Sequence, residues 1–356
     1  MQPVPSTPFG RALDGREARL WRIANAHGMA AEITNMGACL VSLHVPDGCG
    51  NLLNVVLGHD GAEGYSQNPA YFGAVIGRCT NRIAGASFEL SGERHELARN
   101  EGPNNIHSGP HMWLMRTWEV VEATSHRMVL SLASPDGDQG FPGAVEVRVA
   151  YELSDDDALS ITYEGEPSAP TIMNLTSHSY FNLNGCSSGS AMDHTLQVRA
   201  SSYTECDDAN IPTGRILPVE DTPLDFREAR PIAPSLASGF HSIEVALGID
   251  HNYVLEGFEP DVDGFVGAGR RVATLTGERT GIALDVYTDA PGMQVYTANY
   301  IDGEHGRGGF VHHAHDAVCL ETQFFPDAIH HPDFPQPVFG PNRPYRSRTV
   351  YAFRHE

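Results

Sequence analysis

In the segment TIMNLTSHSYFNLNG, Thr171 to Gly185, a histidine, His178, stands among Asn174, Thr176, Ser177, Ser179, Asn182 and Asn184. The segment reads as a strand running into a turn. A strand entering a core excludes such groups unless each finds a hydrogen-bond partner. A polyhydroxylated ligand is one class of partner, and backbone groups are another.

Other polar-rich segments raise the same question. GRCTNRIAGASFEL carries Asn81 and Arg82, and NEGPNNIHSGP carries Asn104, Asn105 and His107. GIDHNYVL sets Asp250, His251 and Asn252 beside strand formers, and PGMQVYTANY puts Gln294 on a strand after a Pro-Gly turn. In VCLETQFFPDA, Glu321 and Gln323 lie between an apolar run and Phe324, Phe325 and Pro326. Singly, most of these have a structural reading. Arg82 serves as an ion-pair arginine, His107 closes a turn, and His178 bonds backbone within the core. Asp250 caps a turn, and Gln294 satisfies a sheet edge. Glu321 is balanced between an internal ion pair and a function, because its apolar neighbours imply burial and a buried carboxylate needs a reason.

The elements that must position these residues are strands. In AVEVRVAYEL, Val145, Val147, Val149, Tyr151 and Leu153 alternate with Glu146, Arg148, Ala150 and Glu152, the period of a strand with one buried face. SDDD (154–157) is a turn, and Leu159, Ile161 and Tyr163 continue the alternation. RMVLSLAS, HTLQVRA, GIALDVYTD and MQVYTANY read likewise, whereas IAPSLAS alone has a helical look. EPDVDG (259–264) reads as a solvated acidic loop. Many short strands between Gly, Pro and Asp turns predict an all-β fold, a large antiparallel β-sandwich in one domain over residues 1–356.

Composition narrows the partners. A formal net charge of -22 at pH 7 argues against nucleic acid and anionic membrane surfaces. No segment is long and apolar enough for a membrane span. The start of the chain has no basic stretch leading into an apolar one. Cys39, Cys49, Cys79, Cys186, Cys206 and Cys319 form no CxxC pair or zinc spacing. The expected location is therefore cytoplasmic. HHAHD (312–316) and His330-His331 have spacings that suit no metal cage, so no metal is expected. There is no phosphate loop, GxGxxG unit or GxSxG elbow, and no cofactor is expected.

Taken in order, GRCTNRI, NNIHSG, DGDQGFPG, NLTSHSYFNL, IPTGRILPV with TPLDFR, GIDHNYVL, PGMQVYTANY and CLETQFFPDAIHHPDFPQP resemble the aldose 1-epimerase (galactose mutarotase) family, from about residue 30 to the C-terminus. The resemblance implies that family's large β-sandwich with a sugar cleft. It implies Glu321 as general base, His178 as general acid and His107 as a second active-site histidine. It places Arg82, Asp250 and Gln294 at substrate-binding positions, with Asn81 beside them. The family often has Asn where this chain has Ser177, and a second Gly where it has Ser108. Both serines are expected near the cleft. The segment DGEHGRGGFVHHAHD (302–316) maps onto no family motif.

The implied chemistry is mutarotation of a free aldose such as galactose or glucose, which needs one group to accept the C1 hydroxyl proton and another to protonate the ring oxygen. Rival readings are a non-catalytic sugar-binding module, an enzyme of a sugar phosphate and a metal-dependent β-barrel enzyme. The preferred aldose and the choice between monomer and homodimer stay open.

Overall fold

The computed structural model describes residues 4–66, 70–258 and 269–355. Its two largest sheets are antiparallel. One has nine strands, ordered Glu119–Ala123, Arg127–Ser134, Val145–Leu153, Ala158–Gly165, Tyr345–His355, Ile282–Thr288, Arg270–Thr276, Thr195–Val198 and Arg230–Pro231. The other has six, ordered Tyr180–Phe181, Val318–Gln323, Gly292–Tyr296, Asp250–Val254, Ser202–Cys206 and Pro212–Pro218. A five-stranded N-terminal sheet spans Ser6–Arg11 to Leu52–Asn54.

The predicted alternation appears directly. Val145, Val147, Val149, Tyr151 and Leu153 are buried, and Glu146, Arg148 and Glu152 are exposed. The expected strands at RMVLSLAS, HTLQVRA, GIALDVYTD and MQVYTANY form, as does a short helix at Ala233–Leu236. Further short helices, Ala62–Ser66 and His241–Val245, had no clear sequence period. The EPDVDG loop lies outside the described residues.

One apolar core joins the two large sheets, taking Tyr151, Ile161, Leu284 and Tyr351 from one and Tyr253, Val295, Val318 and Leu320 from the other. Tyr351 OH donates to the Leu320 carbonyl at 3.2 Å, and Thr322 and Thr349 hydroxyls pair across the interface. The architecture is thus the expected all-β sandwich.

The strand Val318–Gln323 is buried at every position. Successive side chains of a strand point to opposite faces. Val318, Leu320 and Thr322 therefore turn to the nine-stranded sheet, and Cys319, Glu321 and Gln323 to the other side. The same alternation puts Gln294 beside Glu321 on the neighbouring strand, with Asn252 beside Gln294 on the next. One face of the six-stranded sheet is consequently polar although buried.

The segment 171–185 differs from the single expected strand. It makes three short pairings with separate partners: Thr171–Ile172 with Val338–Phe339, Thr176–Ser177 with Val75–Ile76, and Tyr180–Phe181 with Val318–Cys319. Its asparagines explain the steps. Asn174 bonds both backbone groups of Phe324, and Asn182 donates to the carbonyls of Gly189 and Asp316. Side chains that satisfy distant backbone let the chain leave one ladder and join another.

Candidate active site

A cavity of about 240 Å³ opens over the polar face of the six-stranded sheet. Asn81, Arg82, His107, His178, Asp250 and Glu321 all line it. They come from separate stretches of chain, and the two sheets with their covering loops bring them together. Gln294 does not line the cavity. It stands behind the site, where its Nε2 donates to Asp250 Oδ1 at 2.7 Å.

His178 sits on the link between two of the short pairings. Its N–H donates to Ala74 O, and Gly73 N–H donates to its carbonyl, both at 2.9 Å. Gly73 also packs against Leu40, where a Cβ would lie 2.0 Å from the carbonyl oxygen. The His178 ring stacks on Tyr180 with centroids 5.0 Å apart. Its Nε2 lies 3.8 Å from Glu321 Oε2, and both side chains are almost fully buried. Burial lowers the His178 pKa to about 3 and raises that of Glu321 well above the carboxylate range. The Asp250 charge raises Glu321 further, and Arg82 opposes it.

His107 and Asn81 hold each other. Asn81 N–H donates to His107 Nδ1 at 3.2 Å, and His107 N–H donates to the Asn81 carbonyl at 3.1 Å. Both residues are left-handed, with φ of 52° and 61°. That strain costs on the order of 1 kcal/mol each and persists where surrounding bonds impose it. Burial, the neighbouring His178 and Arg82 keep His107 neutral. Because a backbone N–H occupies Nδ1, the neutral ring carries its proton on Nε2.

Arg82 is buried and faces two carboxylates. Glu101 takes its Nε and Nη2 at 2.8 and 2.7 Å, and Asp250 lies 3.7 Å from Nη1. Burial alone would weaken the guanidinium as a base, but these carboxylates outweigh it. Asp250 is itself raised, first by burial, with Arg82 and Gln294 pulling the other way.

Glu101, Asn100, Tyr71 and Tyr300 also line the cavity and were not singled out from the sequence. Glu101 lies in NEGPNNIHSGP, where Asn104 and Asn105 drew attention instead. Those asparagines bond backbone: Asn104 accepts from Gly85 N–H, and Asn105 donates to the Ala98 and Gly109 carbonyls. A carboxylate near His107 and an unpaired arginine was the available signal. Ser108 and Ser177 adjoin the lining residues His107 and His178 but do not themselves line the cavity. Ser108 Oγ bonds both backbone groups of Cys79, and Ser177 pairs with Ser179.

Among the described residues, His178, Cys319 and Glu321 are the one group of three metal-type donors within 4.8 Å of one another. A cation there would require the thiol and the carboxyl to lose protons that burial holds on them. The C-terminal histidines do not converge into such a group. In the segment 302–316, Asp302–His305 and Val311–His313 form a hairpin, pinned by His59 Nδ1 donating to His305 O and by an Arg307–Glu32 ion pair. No described helix is long and apolar enough to cross a membrane.

The family model for aldose 1-epimerase matches residues 19–352. The chain belongs to the aldose 1-epimerase family. It is an enzyme, an isomerase acting on carbohydrates. The galactose mutarotase of Bos taurus is 37% identical over 326 residues, 91% of each chain. The aldose 1-epimerase of Escherichia coli K12 is 35% identical over 345 residues, 96% of this chain and 97% of its own. Among solved structures, a GalM/aldose epimerase homologue from C. elegans superposes with a TM-score of 0.86 at 29% identity, covering 95% of this chain and 99% of its own. Galactose 1-epimerase from Lactobacillus acidophilus superposes at 0.84 with 26% identity, covering 100% and 99%.

Proposed function

We propose that this aldose 1-epimerase interconverts the α and β anomers of a free aldose such as galactose or glucose, with Glu321 as general base and His178 as general acid. The observation that supports it is the buried Glu321–His178 pair, 3.8 Å apart at the wall of a cavity rich in hydrogen-bonding groups. The Glu321 carboxylate takes the proton of the C1 hydroxyl. C1 becomes a carbonyl, the C1–O5 bond breaks, and O5 takes the proton from His178 Nε2. Rotation about C1–C2 and reversal of both transfers give the other anomer. Each positioned acid or base contributes about 10²–10⁴ in rate.

The proton count allows this. Burial favours a neutral carboxyl beside a neutral imidazole. The reactive carboxylate and imidazolium contain the same number of protons. Sugar hydroxyls that donate to the carboxylate favour the second arrangement.

His107 takes a different part. With Nδ1 engaged by Asn81, it offers a single Nε2–H, suited to holding the ring oxygen or an adjacent hydroxyl. Arg82 and Asp250 pair with sugar hydroxyls as donor and acceptor, Asn81 adds its amide, and Gln294 orients Asp250. A sugar phosphate is disfavoured. Arg82, the one arginine among the described lining residues, is already clamped, and Glu101, Asp250 and Glu321 share the walls.

Polarimetry on freshly dissolved α-D-galactose and α-D-glucose tests the reading. The decay of rotation is expected to accelerate, to survive EDTA and to lose at least about 10²-fold in Glu321→Gln and His178→Asn. Wild-type turnover in either variant removes that residue from its role.

A further inference from the structure

Cys319 and Glu321 lie two residues apart on one strand, and the His178 ring spans the gap between them. Glu321 Oε2 faces Nε2 at 3.8 Å, and Cys319 Sγ faces Nδ1 at 3.6 Å. We infer that Cys319 is a positioning residue, which accepts a hydrogen bond from Nδ1–H of His178 and so keeps Nε2 as the ring's one proton-exchanging atom. This rests on the acid role proposed for His178 and deepens it.

The argument begins with the neighbours of Nδ1. The partner of Nδ1 is the Cys319 sulfur, and at the other end of the ring Nε2 faces Glu321 Oε2. Burial holds the proton on that carboxyl, whose O–H calls for a bare nitrogen opposite it. Nε2 is therefore the bare atom and Nδ1 the donor. Sulfur beside it is a weak acceptor, adequate for a neutral N–H. The thiol stays protonated, because burial and then the Glu321 charge push its pKa well above the ordinary value.

The ring is also held against rotation. It stacks on Tyr180 at an interplanar angle of 15°, and Tyr296 and His107 meet it edge-on at 86° and 70°. A flipped ring would set a C–H against the sulfur and lose that acceptor of Nδ1.

The consequence concerns where the acid proton can be loaded. With Nδ1 already protonated, Nε2 is bare and faces the carboxyl of Glu321. Transfer of that carboxyl proton to Nε2 breaks O–H, forms N–H and leaves a carboxylate beside an imidazolium, with no change in total protons. In the opposite tautomer the incoming proton would land on Nδ1, on the side facing Cys319. The titratable groups around the ring are Glu321, Cys319, His107, Tyr71, Tyr180 and Tyr296.

The test is the tautomer of His178 in sugar-free protein labelled with ¹⁵N-histidine, read from long-range ¹H–¹⁵N correlations and assigned by the signals missing in His178→Asn. Wild type is expected to show Nδ1–H. Cys319→Ala is expected to move population to Nε2–H and to lower kcat about tenfold with KM unchanged. Cys319→Ser, whose hydroxyl oxygen accepts the same bond, restores most of both. An Nε2–H tautomer in wild type overturns the inference, as does a Cys319→Ala protein with unaltered tautomer and turnover. If Cys319→Ala does not fold, the wild-type spectrum alone decides. A shifted tautomer with full mutarotation in both Cys319→Ala and His178→Asn would instead overturn the role of His178 and leave its pairing with Cys319 standing.

Discussion

Glu101 grips the guanidinium of Arg82 with both carboxylate oxygens, at 2.8 Å to Nε and 2.7 Å to Nη2. The third nitrogen, Nη1, is left to Asp250 at 3.7 Å. A bidentate pair fixes an arginine in orientation as well as in charge. Glu101→Gln is expected to release Arg82 and to raise KM for the sugar roughly tenfold, with kcat changed less than about threefold. Steady-state polarimetry checks this, and an unchanged KM would show that the clamp has no part in binding.

Glu321→Gln separates activity from stability. Burial raises the folded pKa of Glu321 above its ordinary value of 4.5. Between those values the native carboxyl keeps a proton that the unfolded chain has lost. The native state thus loses stability as pH rises through that window. The neutral amide removes this loss. The variant is expected to be nearly inactive yet to melt roughly 2 °C or more higher at neutral pH, with the difference growing as pH rises. A lower melting temperature at every pH contradicts it.

The same shift sets the alkaline limb of activity. The pair works with one shared proton, so kcat/KM is expected to fall as pH rises through the raised Glu321 value, where that proton is lost, and to hold on the acid side until pH nears the His178 value of about 3, where a second proton adds. An acid limb well above 4.5 with no alkaline limb would remove the shared-proton pair as the acid and base.

His330 supports the scaffold behind Arg82. Asp327 is left-handed and buried, its N–H donates to the Arg82 carbonyl, and its Oδ1 accepts from Ala84 N–H and from His330 Nδ1 at 2.6 Å. The bond to Asp327 raises the His330 pKa above 6.5. Its stabilisation is therefore complete below 6.5 and is lost as pH rises through the folded value. His330→Ala is expected to cost about 1 kcal/mol at acid pH, allowing for solvent screening of a half-buried imidazole. Near pH ~9 the cost should be much smaller. Chemical denaturation at both pH values decides.

Arg78 is fully buried, and its guanidinium donates to Ser134, to the carbonyls of Pro135 and Pro142, and to Thr171 Oγ1. Arg78→Met would orphan those acceptors. A loss of more than about 3 kcal/mol is expected in denaturant melts. Retention of wild-type stability would mean that water replaces the guanidinium without cost.

The strands were legible because burial on one face imposes a period of two, which Val145–Leu153 and Ala158–Gly165 display residue by residue. The site residues were legible as types, since a buried strand carrying Glu321 or a loop carrying His107 departs from what a core tolerates. Sequence alone determined the all-β class and the identity of the polar residues that needed explaining. Tertiary structure decided which of them meet. Asn104, Asn105 and Ser108 are spent on backbone groups, Gln294 stands behind Asp250, and Glu101 holds Arg82. It also decided which nitrogen of each histidine is engaged, because those partners, the Asn81 N–H and the Cys319 sulfur, lie 26 and 141 residues away along the chain. Spacing records local periodicity, whereas hydrogen-bond partners across a sandwich are set by register and loop packing.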